Sequence, residues 1–395
     1  MTAPGAATLP TSLTTGEHAP LLRFAARDFR NLEHVEITSP PEGFTLVGEN
    51  GHGKTNLLEA IYYLHLLRSA RGGRDQDLVR FDSAGFHLAA ESDTSTFRAQ
   101  NGARSIAVGY ERATRCKLVR IDGKEPERLS DALGTLPAVM FAPRDVDLIA
   151  GPPAARRRFL DVALALTSRR YLAAFQKYRA ALARRNAALR ALGGGGGVDL
   201  AAVWEPALAE HGAILRTERL SWVERFAQPF AERCAAMGEE GPSRMRYVSR
   251  LDPTGDPRSA LLADFAARRV QDVRRGVTGS GPHRDELELT LGGRELRTFG
   301  SAGQQRTAAI ALRMLEAETI REASGTEPLL LLDDPFAELD ARRTVRILEL
   351  LLADSRRQTV LAVPRETDIP AELARVARLR IVRGVVAPVD GMHVR

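Results

Sequence analysis

The chain has 395 residues, 44% of them hydrophobic and 27% charged, and carries a formal net charge of +6. That is too long for one average domain, and the apolar share predicts a large core beneath a soluble surface. The two cysteines, Cys116 and Cys234, lie outside any CxxC or Cys/His spacing, which argues against a disulfide framework or zinc site and fits a reducing cytoplasm.

Met1 to Pro20 is rich in Ala, Thr, Pro and Gly and has neither a basic n-region nor an apolar h-region. It reads as a disordered tail rather than a signal peptide. No apolar run approaches transmembrane length, so no membrane partner is expected. Strands are predicted between Leu21 and Val47, the last of them being the short apolar run Phe44 to Val47. A helix follows, with Leu57, Leu58, Ile61, Leu64 and His65 at helical spacing. From Phe86 to Ile121, short apolar segments alternate with turns such as Asn101-Gly102 and Asp122-Gly123, the pattern of antiparallel hairpins. The texture changes near Asp145. Pro153 to Leu192 and Asp199 to Met237 are rich in Ala, Leu and Arg and flank the glycine run Gly193 to Gly197, which predicts an antiparallel helical hairpin. Pro206 and Pro229 are expected to kink or divide its second arm. A further helix, Ser259 to Arg275, precedes Gly276. Strand texture returns at Glu286 to Thr290, and a helix from Gly303 to Glu322 leads to the apolar strand Leu329 to Leu332. These elements predict an α/β domain built from the two ends of the chain, 21–125 and 281–395, with a mainly helical domain, 126–280, inserted between them.

Between the strand at Phe44 and the helix at Leu57 stands Gly48-Glu49-Asn50-Gly51-His52-Gly53-Lys54-Thr55, which fits G-x-x-x-x-G-K-[ST] in the strand–loop–helix context that a P-loop requires. The glycines let the backbone curl until its N–H groups point at phosphates, and the helix N-terminus adds partial positive charge. Lys54 is then the cation for the β- and γ-phosphates, and the Thr55 hydroxyl is a ligand for Mg²⁺. ATP and Mg²⁺ are therefore the expected cofactors. The run Leu329 to Leu332 ends in Asp333-Asp334, so a buried strand delivers carboxylates to the sheet edge where open α/β sheets bind ligands. Asp333 is placed to hold the metal, and Asp334 to act as general base on water. Ser301 and Gln304 form an S-x-x-Q capping box, which by itself marks a helix start. With the small residues Ala302 and Gly303, that start offers open N–H groups to an anion. Since the P-loop already surrounds its own phosphates, the second anion site points to a γ-phosphate held by another subunit.

The P-loop, the S-x-G-Q helix start and Asp333-Asp334-Pro335-Phe336-Ala337-Glu338-Leu339-Asp340 together resemble the ABC-type ATPases. The resemblance makes Ser301 the signature serine that contacts the ATP of the opposite subunit, with Gly303 and Gln304 beside it, and puts Asp340 in the D-loop. Four blocks narrow the likeness. They are Asp28-Phe29-Arg30-Asn31, Gly48 to Ala60, Pro143 to Ile149 with Gly151-Pro152 and Arg156 to Asp161, and Gly281 to Leu287. In this order they are similar to the RecF family, DNA-repair relatives of the SMC proteins, from Leu21 onward. The resemblance adds Arg30, Asn31, Glu49, Asn50 and His52 to the nucleotide-binding set and assigns catalysis to Lys54, Ser301 and Asp334. It implies an ABC-type head with an inserted arm. It also implies an ATP-dependent homodimer on DNA that works with RecO and RecR at single-stranded gaps to load RecA, supporting replication and the SOS response. Asp334 stands where most ABC ATPases carry Glu. Pro364 follows the strand Thr359 to Val363 where a switch His is common, and Asp145 is the candidate for an otherwise unassigned Q-loop role. These departures predict an ATP-gated switch with slow hydrolysis.

The DNA reading rests in the residues on arginine clusters: Arg156-Arg157-Arg158, Arg169-Arg170, Arg184-Arg185, Arg268-Arg269 and Arg274-Arg275. Such residues neutralise phosphates without reading sequence, although a solvated helix face has the same composition. At 6% aromatic content no stacking platform is indicated, so duplex DNA or a single-strand/duplex junction is the expected substrate. His283-Arg284-Asp285 is expected to be structural or to serve an interface rather than catalysis, because adjacent residues on a strand face opposite ways. Two other readings compete: an ABC transporter ATPase subunit and an SMC-type structural ATPase. The arginine-rich insert and the absent switch His weigh against the first, and the shortness of the insert against the second.

Overall fold

The computed structural model describes residues 21–93, 103–192, 199–251, 255–336, 341–353 and 357–389. The tail 1–20, the turn Asn101-Gly102, the glycine run 193–197 and the D-loop residue Asp340 lie outside them.

The centre of the molecule is a six-stranded sheet. Its order is Val385–Pro388, Ala377–Val382, Gly43–Val47, Thr359–Val363, Leu329–Asp333, Ala138–Phe141. All neighbours are parallel except the first pair. Its inner strands are nearly continuous apolar runs because both faces are covered. Phe44, Leu46, Leu329, Leu331, Val360 and Ala362 face one hydrophobic cluster, while Val47, Leu330, Leu332, Leu361 and Val363 face another. The first cluster packs against the helix Lys54–Leu66 and an antiparallel sheet of order Leu32–Thr38, Arg23–Phe29, Gly85–Asp93, Ala103–Glu111, Cys116–Ile121. The P-loop helix thus lies between two sheets, and Leu57 through Leu66 are all buried. The second cluster packs against the helix Ala302–Ser324 and the helical arm. The chain's ends meet at Gln358, which accepts from the Leu21 N–H and donates to the Leu21 carbonyl, each at 2.8 Å.

The arm consists mainly of Pro153–Thr167, Arg169–Leu192, Glu205–Ala236 and Pro257–Arg275. The second and third of these run antiparallel. Arg185 reaches Glu205 at 3.0 Å, a Cβ on Gly212 would lie 3.1 Å from the Tyr178 ring, and Arg219 donates to Tyr171 at 2.9 Å. Pro206 opens its helix in the first turn, where a missing N–H costs nothing, and Pro229 sits inside the same helix without ending it. The expected division of the second arm therefore occurs before Glu205, after the short helix Asp199–Ala202, and not at either proline. Two strands from the segment 126–280 pair outside it. Ala138–Phe141 forms the edge of the central sheet beside Leu329–Asp333, and Ser243–Val248 pairs antiparallel with Glu286–Leu291. Non-local pairing of this kind cannot be read from local texture.

Candidate nucleotide-binding site

The P-loop glycines are required for two different reasons. Gly51 and Gly53 have φ of +83° and +113°, which side chains disfavour. Gly48 is instead a close approach, since a Cβ there would lie 2.5 Å from the Ile381 carbonyl oxygen. Lys54 is buried, and its ammonium donates to the carbonyls of Gly48 and, at 3.0 Å, Glu49. Burial lowers its pKa, and the nearby Asp333 and Asp334 oppose that shift. Across the sheet edge, the Thr55 hydroxyl donates to Asp333 Oδ1 at 3.1 Å. Burial raises the Asp333 pKa, against the Thr55 hydrogen bond and the Lys54 charge. A hydroxyl and a buried carboxylate this close, at the end of parallel strands and beside an ammonium, form a donor set that fits a hard divalent cation with a polyphosphate.

Asp334 is half-buried, with φ of +44° in the left-handed region, an uncommon conformation for a residue with a side chain. Its N–H donates to the Ala362 carbonyl at 2.9 Å, and its carbonyl accepts from Arg306 at 3.2 Å. Burial raises the Asp334 pKa, while Lys54 and then Arg306 lower it. Arg306 also donates to the Pro335 carbonyl at 2.9 Å and so ties the helix Ala302–Ser324 to the end of the acidic strand. It sits within the block that begins at Ser301, yet no spacing rule marked it.

At the start of that helix the capping box is closed. Ser301 Oγ accepts from the Gln304 N–H at 3.3 Å, and Gln304 Oε1 accepts from the Ser301 N–H at 2.9 Å. The Gln304 side chain is thus committed to the cap. The Ser301 hydroxyl still has its own proton to donate, and the first-turn N–H groups of Ala302 and Gly303 have no partner within the helix. Ser301 and Ala302 are exposed.

Arg30 and Asn31 brace the loop from the side. Asn31 donates to the His52 carbonyl at 3.2 Å and accepts from Asn56 at 2.8 Å. Arg30 pairs with Glu59 on the P-loop helix at 3.2 Å. Glu59 is a hub that sequence reasoning missed: fully buried, it also accepts from Arg71 and from Ser69 at 2.6 Å. Those hydrogen bonds keep its pKa low against a burial cost that pushes the other way. Apart from its carbonyl, His52 contributes a ring 3.9 Å from the Glu49 carboxylate. Asp145 lines a cleft of about 550 Å³ together with Thr55, Arg71 and Asp333, and it is held at 2.7 Å by Arg313 of the helix Ala302–Ser324.

The arginine clusters divide. Arg156 is buried, pairs with Glu286 at 2.8 Å and donates to the carbonyls of Leu148, Ile149 and Gly151. Arg157 donates to the Asp285 carbonyl at 2.9 Å, and only Arg158 of the three is exposed. Arg185 is fully buried between Glu205 and Asp272, and Arg269 pairs with Glu205 at 2.7 Å. As a uniform DNA face, the first cluster is thus corrected to a structural anchor with one solvent-facing member. His283-Arg284-Asp285 is structural as expected, but it lies in a turn before the strand rather than on it. His283 Nδ1 lies 2.7 Å from the Tyr178 hydroxyl, and Asp285 accepts from Tyr247 at 2.6 Å.

A family model described as the RecF/RecN/SMC N terminal domain matches residues 20–384. The DNA replication and repair protein RecF of Chloroflexus aggregans is 36% identical over 390 residues, spanning 91% of this chain and 97% of that protein. The RecF of Frankia alni is 38% identical over 366 residues, spanning 88% and 93%. Among solved structures, the recombination mediator protein RecF with ATP, of the RecFOR pathway, superimposes with a TM-score of 0.84 at 26% identity, covering 96% of this chain and all of that one. An Smc head bound to the C-winged helix domain of ScpA has a TM-score of 0.53 at 18% identity, over 93% and 97% of the two chains, and shares the fold alone.

Proposed function

The chain belongs to the RecF family within the RecF/RecN/SMC proteins, and from that premise we propose that it is an ATP-gated recombination mediator that closes into a two-fold dimer on DNA. The observation that carries the dimer is the exposed, capped helix start at Ser301. It offers donors for an anion on the surface, while Lys54 and the P-loop N–H groups serve the subunit's own phosphates. Two-fold closure would set each Ser301 against the partner's γ-phosphate and complete two composite sites at once.

In that state Thr55 and Asp333 would hold Mg²⁺, which supplies charge neutralisation at the β- and γ-phosphates. Lys54 would leave the Gly48 and Glu49 carbonyls for the phosphate oxygens. Asp334 would take the proton of the attacking water, its raised pKa bringing it nearer the range of an efficient base. A carboxylate on this short side chain, fixed by a left-handed backbone turn, supports slow hydrolysis and therefore a timer more than a motor. We further propose that the dimer acts at single-stranded gaps with RecO and RecR to load RecA and so supports the SOS response. The longest arm helix, 32 residues, spans about 48 Å, too short for the long coiled coil of a structural SMC protein.

Ser301→Arg tests the composite site. ATP binding by the monomer should survive, because Ser301 serves the other subunit, while ATP-dependent dimerisation, read by light scattering after size exclusion, should fail. Mixed with Lys54→Met, the Ser301→Arg chain supplies the intact P-loop and its partner the intact signature, so some ATPase activity should return. Normal dimerisation of Ser301→Arg with ATP would defeat the sandwich.

A further inference from the structure

The long arm helix Glu205–Ala236 ends beside the first turn of the helix that starts at Ser301. Just past its end stands Glu239, whose N–H donates back to the Cys234 carbonyl at 3.0 Å and closes the turn. The Glu239 side chain is 3% exposed, and its carboxylate accepts from Arg343 Nη1 at 2.7 Å. Arg343 comes from a third element, the helix Ala341–Leu351. The same nitrogen donates to the Thr307 hydroxyl at 3.1 Å, and that hydroxyl donates to the Gly303 carbonyl at 3.0 Å. The guanidinium thus lies against the first turn of the helix Ala302–Ser324. A Cβ on Gly303 would stand 3.3 Å from Arg343 Nη1, so a larger residue there would crowd the arginine.

Resting on the composite-site reading above, we propose that Arg343 is a positioning residue of the dimer: it cancels the charge of Glu239 at the helix start that receives the partner's γ-phosphate. A helix N-terminus carries only a partial positive charge. A full negative charge bridged to it by one guanidinium would outweigh that attraction, because repulsion at the edge of a protein interior is screened far less than in water. Glu239 cannot retreat. Its helix is pinned to the helix Ala302–Ser324 farther along, where Trp222 Nε1 donates to Thr319 Oγ1 at 2.9 Å and Arg233 pairs with Glu318. Nor does Arg343 leave for the phosphate, since parting a buried carboxylate from its cation is strongly unfavourable. Lys54 differs, because its carbonyl partners are uncharged and can be given up. Arg343 therefore acts through the cradle and not on the nucleotide. It keeps the potential at Ala302 and Gly303 positive and, through Thr307, braces the turn that presents their N–H groups.

The test uses the full chain, with ATP-dependent dimerisation read by light scattering after size exclusion and monomer ATP affinity by equilibrium titration. Arg343→Ala should leave monomer affinity unchanged, because the contacts named above lie at the Ser301 helix start and not at the P-loop. The dimer should weaken about tenfold or more, since two-fold symmetry repeats the defect at both sites. Arg343→Ala/Glu239→Gln should regain most of that loss, as the unpaired charge is gone, and Arg343→Lys should dimerise close to wild type, as the charge is kept. A purely structural arginine would show no such rescue by Gln. If Arg343→Ala does not fold, Arg343→Gln takes its place, because Gln still donates to Glu239 without charge; the same loss and the same recovery are expected. A folded Arg343 variant that dimerises normally, or a double variant as defective as the single, overturns the proposal. Wild-type chain that stays monomeric with ATP would instead defeat the composite-site reading itself.

Discussion

The nucleotide site and the helical arm use the same basic residues to opposite ends, and the contrast shows what a cation in a sequence means. At the P-loop, Lys54 is surrounded by weak carbonyl partners that it can exchange for phosphate, next to the carboxylates of Asp333 and Asp334. In the arm, Arg185 is clasped by Glu205 at 3.0 Å and Asp272 at 2.7 Å, with nothing left to exchange. One cation waits for a ligand, and the other has found its permanent partners within the fold. Adjacent residues can fall on either side of this line. Arg184 lies 5.0 Å over the Trp204 ring at the surface while Arg185 is fully buried, and Arg158 faces a cleft while Arg156 is locked to Glu286.

The sharpest break in the comparison comes at Lys54. Lys54→Met should reduce ATP affinity by a hundredfold or more, an effect of at least roughly 2.7 kcal/mol, because the phosphate charge loses its main cation. Thermal unfolding without nucleotide should change little, since the lost partners are loop carbonyls. Unaltered affinity in equilibrium titration would show that the loop does not hold phosphate.

Arg185 should behave in the reverse manner. Arg185→Ala leaves the buried Asp272 without its cation, while Glu205 keeps Arg269, and should cost about 3–5 kcal/mol of stability, with the affinity of the folded protein for ATP unchanged. Arg184→Ala, its neighbour, removes an exposed cation–π contact and should cost under about 1 kcal/mol. Denaturant midpoints for the two variants that agree within error would mean that the buried network contributes nothing.

Acid titration compares the two regions with a smaller effect. His65 is buried in the head, His283 lies where the arm meets the head, and burial pushes each pKa from 6.5 to about 4. The unfolded chain therefore takes up a proton near pH 6.5 that the folded chain refuses until about pH 4, so stability falls as pH drops through that window. Between pH 6.5 and 5 each histidine should remove about 1.6 kcal/mol, since the slope rises toward 1.36 kcal/mol per pH unit as the unfolded side chain becomes fully protonated. Replacing His283 by Gln and His65 by Phe in separate variants, and following urea midpoints against pH, assigns the loss to arm or head. A pH dependence untouched by both substitutions would place the titrating groups elsewhere.

Much of the nucleotide site was legible in the chain because it is built from contiguous runs whose spacing is fixed by local geometry. A loop that turns phosphate-binding N–H groups inward needs glycine at set positions, and a buried strand that ends in carboxylates needs an apolar run before them. The helix start at Ser301 announced itself by its cap, and the helical hairpin by composition. Less legible were residues whose role depends on partners far along the chain: Glu59 between Arg30 and Arg71, Arg306 on the Asp334 turn, and Gln358 at Leu21. The strands Ala138–Phe141 and Ser243–Val248 were hidden for the same reason, as each pairs with a strand remote in sequence.

The sequence by itself determined that a P-loop precedes a helix, that Asp333 and Asp334 end a buried strand, and that Ser301 caps a helix, because each follows from the conformational limits of a few neighbouring residues. Only the tertiary structure decided which arginines are free. A guanidinium has the same charge in either role, and whether a carboxylate from another element reaches it is set by packing at a distance. That is why Arg156 and Arg185 ended as internal anchors, while Arg68, Arg158 and Arg179, alike on paper, were left facing an open cleft.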